Sequence, residues 1–297
     1  MAVLSSPAPP RERADRCPGV LRPWPAADGG LVRVRVVAGR LTTAQLAGLT
    51  QLSREYGDGD LHLTTRANVQ LRGVRLPVPS SLVLRLADLG LLPSLAHDRV
   101  RNVLVSPLTG RVGGRADLRP VAARLDALLL AEPVLAELPG RFLFRLDDRG
   151  DLADRPADLA AVALSADRAR LVAGGWDGPE VDLAEVPDRL LGLAKRFLDL
   201  RGDGPSAAWH VHELPGGPAS LGAFTAPGTA AGAAPGPTRR TPYGRSRQDD
   251  GRWMEHLAVP DGVLTPILQG LVLGAAGGGV VVTPWRSVLL PDLEEAR

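Results

Sequence analysis

Thr64-Thr65-Arg66-Ala67-Asn68-Val69-Gln70-Leu71-Arg72-Gly73 is the stretch from which the rest of the chain is best read. It follows a turn at Gly57-Asp58-Gly59 and alternates polar with apolar residues, the period of extended chain. On a regular strand, Arg66, Asn68 and Gln70 share one face. Upstream, Leu31 to Val37 alternates in the same way around Arg33 and Arg35, as a half-buried strand does. Between the two, Thr42 or Thr43 can cap a helix carrying Leu46, Leu49 and Leu52 at helical spacing.

The same plan returns near the end of the chain. Asp250-Gly251 matches Asp28-Gly29, and Val263 to Ala276 takes the place of the helix. Leu63 to Leu71 lies without gaps over Val282 to Leu290, with threonine at Thr64 and Thr283 and apolar residues coinciding near the end. An internal duplication of a β-α-β block is the reading adopted. Two unrelated pieces of the same kind are the alternative.

Between the blocks lies a mixed α/β segment. Ser80 to Leu89, Asp117 to Leu130 and Asp188 to Leu200 have helical spacing. Arg101 to Val105, Arg141 to Leu146, Leu159 to Leu164, Arg170 to Ala173 and Ala207 to Leu214 read as strands. From Pro215 to Thr241 the chain is mostly Gly, Pro, Ala and Thr, the composition of a linker. The expected order is a disordered tail (1–15), a first block (16–76), a central α/β domain (77–214), a linker (215–247) and a second block (248–297).

Bulk properties exclude several classes. A net charge of +2 gives no broad basic surface for nucleic acid. Lys195 is the only lysine among 35 basic residues, so a single arginine is weak evidence of function. Cys17 is the only cysteine, which excludes a disulfide framework or a multi-cysteine metal site built from this sequence. Met1 to Arg16 lacks an apolar signal-peptide core. Val263 to Val282 is uncharged, but Pro266 and Gly277-Gly278-Gly279 read as a short helix, a turn and a strand, not a membrane span. A cytoplasmic protein is expected. His210 and His212 would share one strand face like a metal pair, but no third ligand lies nearby, and structural or solvent-facing roles fit better. Cys17 reads as a packed or capped turn residue.

Three segments resemble the sulfite/nitrite reductase superfamily. Thr64 to Gly73 resembles its T-x-R-x-N-x-Q-x-R-G run. Arg101-Asn102-Val103-Leu104-Val105-Ser106-Pro107-Leu108-Thr109-Gly110, preceded by His97-Asp98-Arg99-Val100, resembles its R-N-V-x-x-S-P-x-x-G loop. Leu138-Pro139-Gly140-Arg141-Phe142-Leu143-Phe144 is similar to its L-P-x-K-F-K strand. Cys17-Pro18-Gly19 and Thr283-Pro284-Trp285-Arg286-Ser287 are most similar to the precorrin-3B synthase branch. The resemblance implies an α+β fold in which two ferredoxin-like half-domains, the internal repeat, flank a sulfite-reductase-like central α/β domain.

It also implies a function. A tetrapyrrole rich in carboxylates calls for fixed, always-charged bidentate donors. The implied binding residues are Arg66, Asn68, Gln70, Arg72, Arg99, Arg101, Asn102 and Arg141. Taken alone, Arg72 reads as a solvated surface charge. Leu143 stands where the reductases have a second strand lysine, which fits the branch whose substrate is the tetrapyrrole itself. The implied reaction is oxygen-dependent hydroxylation and lactonisation of precorrin-3A, with electrons passing through a [4Fe-4S] cluster in a further domain. The tetrapyrrole site holds sirohaem in the reductases and substrate in the synthases. Expected partners are the tetrapyrrole, an electron donor and a second polypeptide carrying the cluster domain, with no nucleic acid and no membrane. The alternatives are a non-catalytic tetrapyrrole-binding or partner subunit, a decayed remnant, or a sulfite/nitrite reductase relative. If no further domain covers the second block, Val280-Val281-Val282 and Val288-Leu289-Leu290 are expected at or near an uncovered, association-prone surface.

Overall fold

The computed structural model describes residues 15–226 and 241–294. The tail (1–14) and the middle of the expected linker (227–240) lie outside the described residues. In chain order the elements begin with β1 (Trp24–Ala26), β2 (Gly29–Val34), β3 (Arg40–Thr42), α1 (Thr43–Tyr56), β4 (Leu61–Leu63), β5 (Val69–Val74), α2 (Ser80–Asp88) and β6 (Val103–Val105). Next come α3 (Arg119–Ala131), β7 (Phe144–Asp147), β8 (Leu159–Ala163), β9 (Arg168–Ala173), β10 (Trp176–Asp182) and α4 (Val186–Leu200). The last are β11 (Gly244–Arg247), β12 (Trp253–Leu257), β13 (Val263–Leu264), α5 (Pro266–Ala275), β14 (Gly279–Val282) and β15 (Val288–Leu293). The described residues divide into two units, one formed by 17–107 with 241–294 and the other by 15–16 with 108–226.

The first of these units contains the duplication. One sheet has the order β1-β2-β5-β4-β13 and the other β11-β12-β15-β14-β3. Each repeat therefore lends the short strand before its helix to the other repeat's sheet. β13 pairs antiparallel with β4 through Val263 opposite His62. β3 pairs antiparallel with β14 through Leu41 opposite Val280. The local geometry repeats as well. Thr42 and Thr265 both cap their helices by accepting from the backbone N–H three residues on, and Thr42 completes a capping box with Gln45. Before each cap the chain takes left-handed backbone at Ala38-Gly39 (φ 57° and 66°) and at Asp261-Gly262 (φ 54° and 72°). At Gly39 a Cβ would lie 2.1 Å from the Val282 carbonyl oxygen, so only glycine fits.

α1 forms because Leu46, Leu49 and Leu52 make one apolar stripe, and all three are fully buried. Gln269 on α5 is buried as well, and its amide donates to the carbonyls of Gly59 at 2.9 Å and Leu264 at 2.7 Å, tying the repeats together. The strands expected at an uncovered surface are not there. Val280, Val281, Val282, Val288, Leu289 and Leu290 are each no more than 2% exposed. Pairing of β14 with β3 and β15, and packing of α1 on β14, closes that region from within the unit. Within the second block the large exposed apolar residues are Ile267 and Leu271 on α5, and elsewhere in the unit Leu84 and Leu95 are also exposed.

In the other unit the strand order is β10-β9-β8-β7, with β7 and β8 parallel and the remaining pairs antiparallel. α3 and α4 pack together, and α4 lies on β8 and β9. Its apolar stripe, Val186, Leu190, Leu191, Ala194 and Phe197, faces the sheet, and Phe197 meets the Phe142 ring at 4.9 Å.

Three expectations need correction, and one strand has no sequence signal. Residues 77–107, including α2, group with the duplicated unit and not with the α/β segment. β10 had no counterpart in the sequence reading, because Gly178 and Pro179 hide an irregular edge strand whose register shifts between Asp177 and Glu180. Ala207 to Leu214 is not a strand. The Glu213 carboxylate accepts from Trp209 N and Asp158 accepts from Val211 N, which folds the segment into turns. The start of the expected linker is packed, since Pro218, Leu221 and Phe224 are buried and Thr225 bridges to Asp177.

Candidate anion-binding site

The T-x-R-x-N run is a turn, not continuous strand. Thr64 Oγ1 accepts from Arg66 N at 3.3 Å and Asn68 N at 3.0 Å, and Ala67 adopts φ 55°. The same turn recurs in the second repeat, where Thr283 Oγ1 accepts from Trp285 N and Ser287 N and Arg286 adopts φ 59°. This turn breaks the expected alternation of Arg66, Asn68 and Gln70. Arg66 is half-buried at the tip, while Asn68 turns inward, is 2% exposed and accepts from Val36 N at 2.8 Å. Gln70 lies in β5 beside β2. With its amide oxygen turned towards Arg33, it accepts from Arg33 Nε at 3.1 Å and Nη2 at 2.8 Å.

The alternation from Leu31 to Val37 marks Arg33 and Arg35 only as the polar half of a strand. Arg35 is in fact 2% exposed. Its Nε donates to Asn102 Oδ1 at 3.2 Å and its Nη1 to the Pro18 carbonyl at 3.0 Å. Burial pulls its pKa down to about 10, Asp98 resists that fall, and Arg33, Cys17 and Arg66 act as weaker influences. Burial also lowers the pKa of Arg33, with Arg66 adding to the fall and Cys17 opposing it. Arg33, Arg35 and Arg66 therefore feel one another's charge. The only cue available in the sequence was two arginines at alternate positions entering the turn before α1.

The R-N-V loop supplies the third side of this site. Asp98 is buried and its Oδ2 accepts from Val20 N at 2.7 Å and Leu21 N at 3.1 Å, which pins the segment after Cys17-Pro18-Gly19. Asn102 accepts from Arg35, and its Nδ2 donates to the Arg99 carbonyl at 3.0 Å, so it fixes the loop backbone. Arg101 is 7% exposed with Nη1 at 3.5 Å from the Leu91 carbonyl, and Arg99 is half-buried. The structure thus gathers Arg66, Asn68, Gln70 and Asn102 around Arg33 and Arg35, with Arg99 and Arg101 on the adjoining loop.

Arg72 stands apart. Its Nε pairs with Asp28 at 2.9 Å on the surface, which raises the arginine's pKa and lowers that of the aspartate. Arg141 belongs to the other unit. There it lies over the Trp209 ring at 5.2 Å and 3.8 Å from Asp15, and is half-exposed. Leu143, at the position of the reductases' second lysine, is buried and gives its N–H to Asp158.

Two donors suit an anion. Arg35 Nη2 and Asn68 Nδ2 are buried without a hydrogen-bond partner among the described residues. A buried donor left unmatched costs about 1–3 kcal/mol, and more when charged, so an anionic oxygen would suit either donor. A [4Fe-4S] cluster does not fit this chain's residues, because one cysteine cannot supply four thiolates. Asp58, Asp60 and His62 come within metal-ligand reach of one another, but Asp58 is engaged in the hairpin, accepting from Asp60 N at 3.0 Å and meeting His62 Nε2 at 2.8 Å. His210 Nδ1 pairs with buried Asp158 at 3.1 Å and its ring stacks on His212, a structural arrangement. Among the described residues no helix is long and apolar enough to cross a membrane.

Comparison with known proteins bears on the fold and its relatives. The nitrite/sulfite reductase ferredoxin-like half domain matches residues 25–77. The chain is 30% identical over 156 residues to a precorrin-3B synthase of Sinorhizobium sp, covering 52% of this chain and 33% of that protein. It is 38% identical over 119 residues to a ferredoxin–nitrite reductase of Leptolyngbya laminosa, covering 38% of this chain and 23% of the relative. A chloroplastic ferredoxin–nitrite reductase of Arabidopsis thaliana is 30% identical over 188 residues, covering 57% and 32%. The chain therefore spans about a third or less of these relatives. The NirA protein of Mycobacterium tuberculosis shares the fold, with a TM-score of 0.72 at 22% identity over 90% of this chain and 54% of that one. Residues 25–77 are thus similar to the nitrite/sulfite reductase ferredoxin-like half domain, part of the chain is similar to oxidoreductases that carry it, and the fold is that of the NirA protein.

Proposed function

We propose that this chain binds a polycarboxylate tetrapyrrole at the Arg33–Arg35–Arg66 cluster, as part of a precorrin-3B synthase-like oxidoreductase of corrin biosynthesis. The reaction would be oxygen-dependent hydroxylation and lactonisation of precorrin-3A. The observation that carries the reading is Arg35, a nearly fully buried cation whose direct partners are both neutral oxygens and whose Nη2 is unmatched. A multiply charged anion arriving there gains charge-assisted hydrogen bonds in a poorly hydrated setting. Arg101, Arg99 and Asn68 would contact or position the same ligand; Arg141 is proposed as a binding residue from its place in the motif alone. Arg72 is tied to Asp28 and is better explained as a surface pair. Electron delivery by a [4Fe-4S] cluster would come from protein beyond these residues, fed by an electron donor.

Buried Leu143 favours this reading over a reductase, because a site for nitrite or sulfite gains from each fixed cation around the small anion. The reductase reading rests on the 38% identity to the Leptolyngbya enzyme. Titration with uroporphyrin III and with sirohaem, followed by tryptophan fluorescence and visible absorption, separates the two. Uroporphyrin III binding that weakens in Arg35→Met and Arg66→Ala supports the proposal. Sirohaem binding with a spectrum that shifts on adding nitrite or sulfite supports the reductase. Binding of neither sinks both.

A further inference from the structure

Cys17 leads directly into the segment that holds a buried guanidinium. Pro18, the next residue, gives its carbonyl to Arg35 Nη1 at 3.0 Å. Asp98 fixes the chain just beyond, accepting from Val20 N at 2.7 Å and Leu21 N at 3.1 Å, and Gly19 N donates to the Arg22 carbonyl at 3.0 Å. The segment is thus pinned from Pro18 to Arg22, and Cys17 enters it half-buried. Burial lowers the pKa of Arg33, and negative charge on Cys17 is the main influence against that fall. Cys17 acts in the same direction on Arg35, where burial leads and Asp98 is the stronger opposing charge. The attraction is mutual, so the two guanidiniums favour thiolate over thiol at Cys17.

The donors beside this segment are short of an anion. Arg35 is 2% exposed, yet its Nη2 has no hydrogen-bond partner among the described residues, and the same holds for Nδ2 of Asn68, also 2% exposed. Arg35 Nη1 is tied to the Pro18 carbonyl, so the unmatched donor belongs to a guanidinium held against the thiol's own segment. A cysteine packed in a turn of neutral surroundings is inert, whereas thiols beside fixed cations are reactive.

We propose that Cys17 is a site of reversible S-thiolation by anionic low-molecular-weight disulfides, with carboxylates of the added thiol seated on the donors of Arg35 and Asn68. The Cys17 thiolate attacks one sulfur of the disulfide. A new S–S bond forms to Cys17 as the S–S bond of the reagent breaks, and the leaving half departs as a thiolate with the bonding electron pair, then takes a proton from water. Cys17 is oxidised to the mixed disulfide and half of the reagent is reduced to thiol, so the disulfide is itself the oxidant. The donor set selects the charge of the reagent, because a cationic disulfide would meet Arg33, Arg35 and Arg66. Occupation of these donors would also exclude a polycarboxylate tetrapyrrole, and only that consequence rests on the function proposed above.

Cys17 is the only cysteine, so intact mass of the full chain reads its thiolation without background. Glutathione disulfide, an anion at neutral pH, and cystamine, a dication, are the two reagents. Each rate is divided by that of the same protein unfolded in urea, which keeps the neighbouring Arg16 and Arg22 and cancels the intrinsic reactivity of the reagent. The corrected rates should favour glutathione disulfide by about tenfold or more, and the preference should shrink in high salt. Arg35→Met and Arg33→Gln should each cut it by about threefold or more, while Arg168→Ala leaves it unchanged. Arg33→Gln and the salt series decide the matter if Arg35→Met does not fold. Equal corrected rates, or a preference that the arginine variants keep, overturn the proposal and leave Cys17 a packed turn residue. Uroporphyrin III should slow glutathionylation and bind the glutathionylated protein about tenfold more weakly, with dithiothreitol restoring its affinity. Equal binding to modified and unmodified protein would overturn the seating of carboxylates on Arg35. Failure of uroporphyrin III to bind the unmodified protein would sink the tetrapyrrole reading, and the rate preference would still decide the thiolation site.

Discussion

Arg35→Met tests the central claim, that a buried guanidinium is retained for a ligand at some cost to the fold. Methionine keeps the length and the apolar stem while removing the charge. The lowered pKa of about 10 means that charging the group in place is disfavoured by about 3 kcal/mol relative to the unfolded chain. Against that gain, the variant loses the bonds to Asn102 Oδ1 and the Pro18 carbonyl, each about 1.5 kcal/mol. The two effects nearly cancel, so stability by urea denaturation at pH 7 should stay within about 1 kcal/mol of wild type with an unchanged m-value. The pH dependence has a definite sign. A depressed guanidinium gives up its proton in the native state while the unfolded chain still holds it. Wild-type stability relative to the variant is therefore flat below pH 10 and rises above it. Uroporphyrin III should raise the wild-type midpoint, and the variant should bind it about tenfold more weakly. A variant that loses more than about 3 kcal/mol while keeping full affinity would refute the reasoning, because Arg35 would then be a structural strut.

Arg66→Ala and Arg101→Ala should each weaken uroporphyrin III binding by about 1.5–3 kcal/mol in isothermal titration, and Arg168→Ala, paired at the surface with Asp182, serves as the control. Equal losses in all three would point to unspecific charge attraction. Anaerobic reconstitution followed by iron and acid-labile sulfide analysis should find no stoichiometric cluster on this chain, since Cys17 is its only thiol. Thr42→Ala should cost about 1 kcal/mol through loss of the capping box, read from the urea midpoint. Hydrogen exchange should be slow at Val280–Val282 and Val288–Leu290, because these strands are paired and buried; fast exchange there would restore the expectation of an uncovered second block.

The duplication was legible because its signals are local. Thr64 and Thr283 each organise the next four residues through one hydroxyl, and Thr42 and Thr265 each start a helix, so the pattern survives low identity between the repeats. The R-N-V loop was legible as a motif, but the strand expected from Arg101 begins only at Val103, because Asn102 spends its side chain on Arg35 and the Arg99 carbonyl. Where a side chain's partner lies far along the chain, sequence period misleads. Arg35 sits at a polar position of an alternating strand, yet contacts with Pro18 and Asn102 bury it. Sequence period puts His210 and His212 on a strand, whereas Glu213 and Asp158 fold the segment into turns.

The sequence by itself determined the repeated β-α-β plan, the helix caps, the turn chemistry and the single thiol, because each depends on residues a few positions apart. Only the tertiary structure decided which strands cross between the repeats, which arginines converge, and which apolar face remains open. Val280 to Val282 and Ile267 to Leu271 are similarly apolar in sequence. Exchange of β3 into the second sheet buries the first group, while no element of the described chain covers the exposed Ile267 and Leu271 side chains. Burial is set by what the fold brings from elsewhere, and hydropathy along the chain carries no record of that.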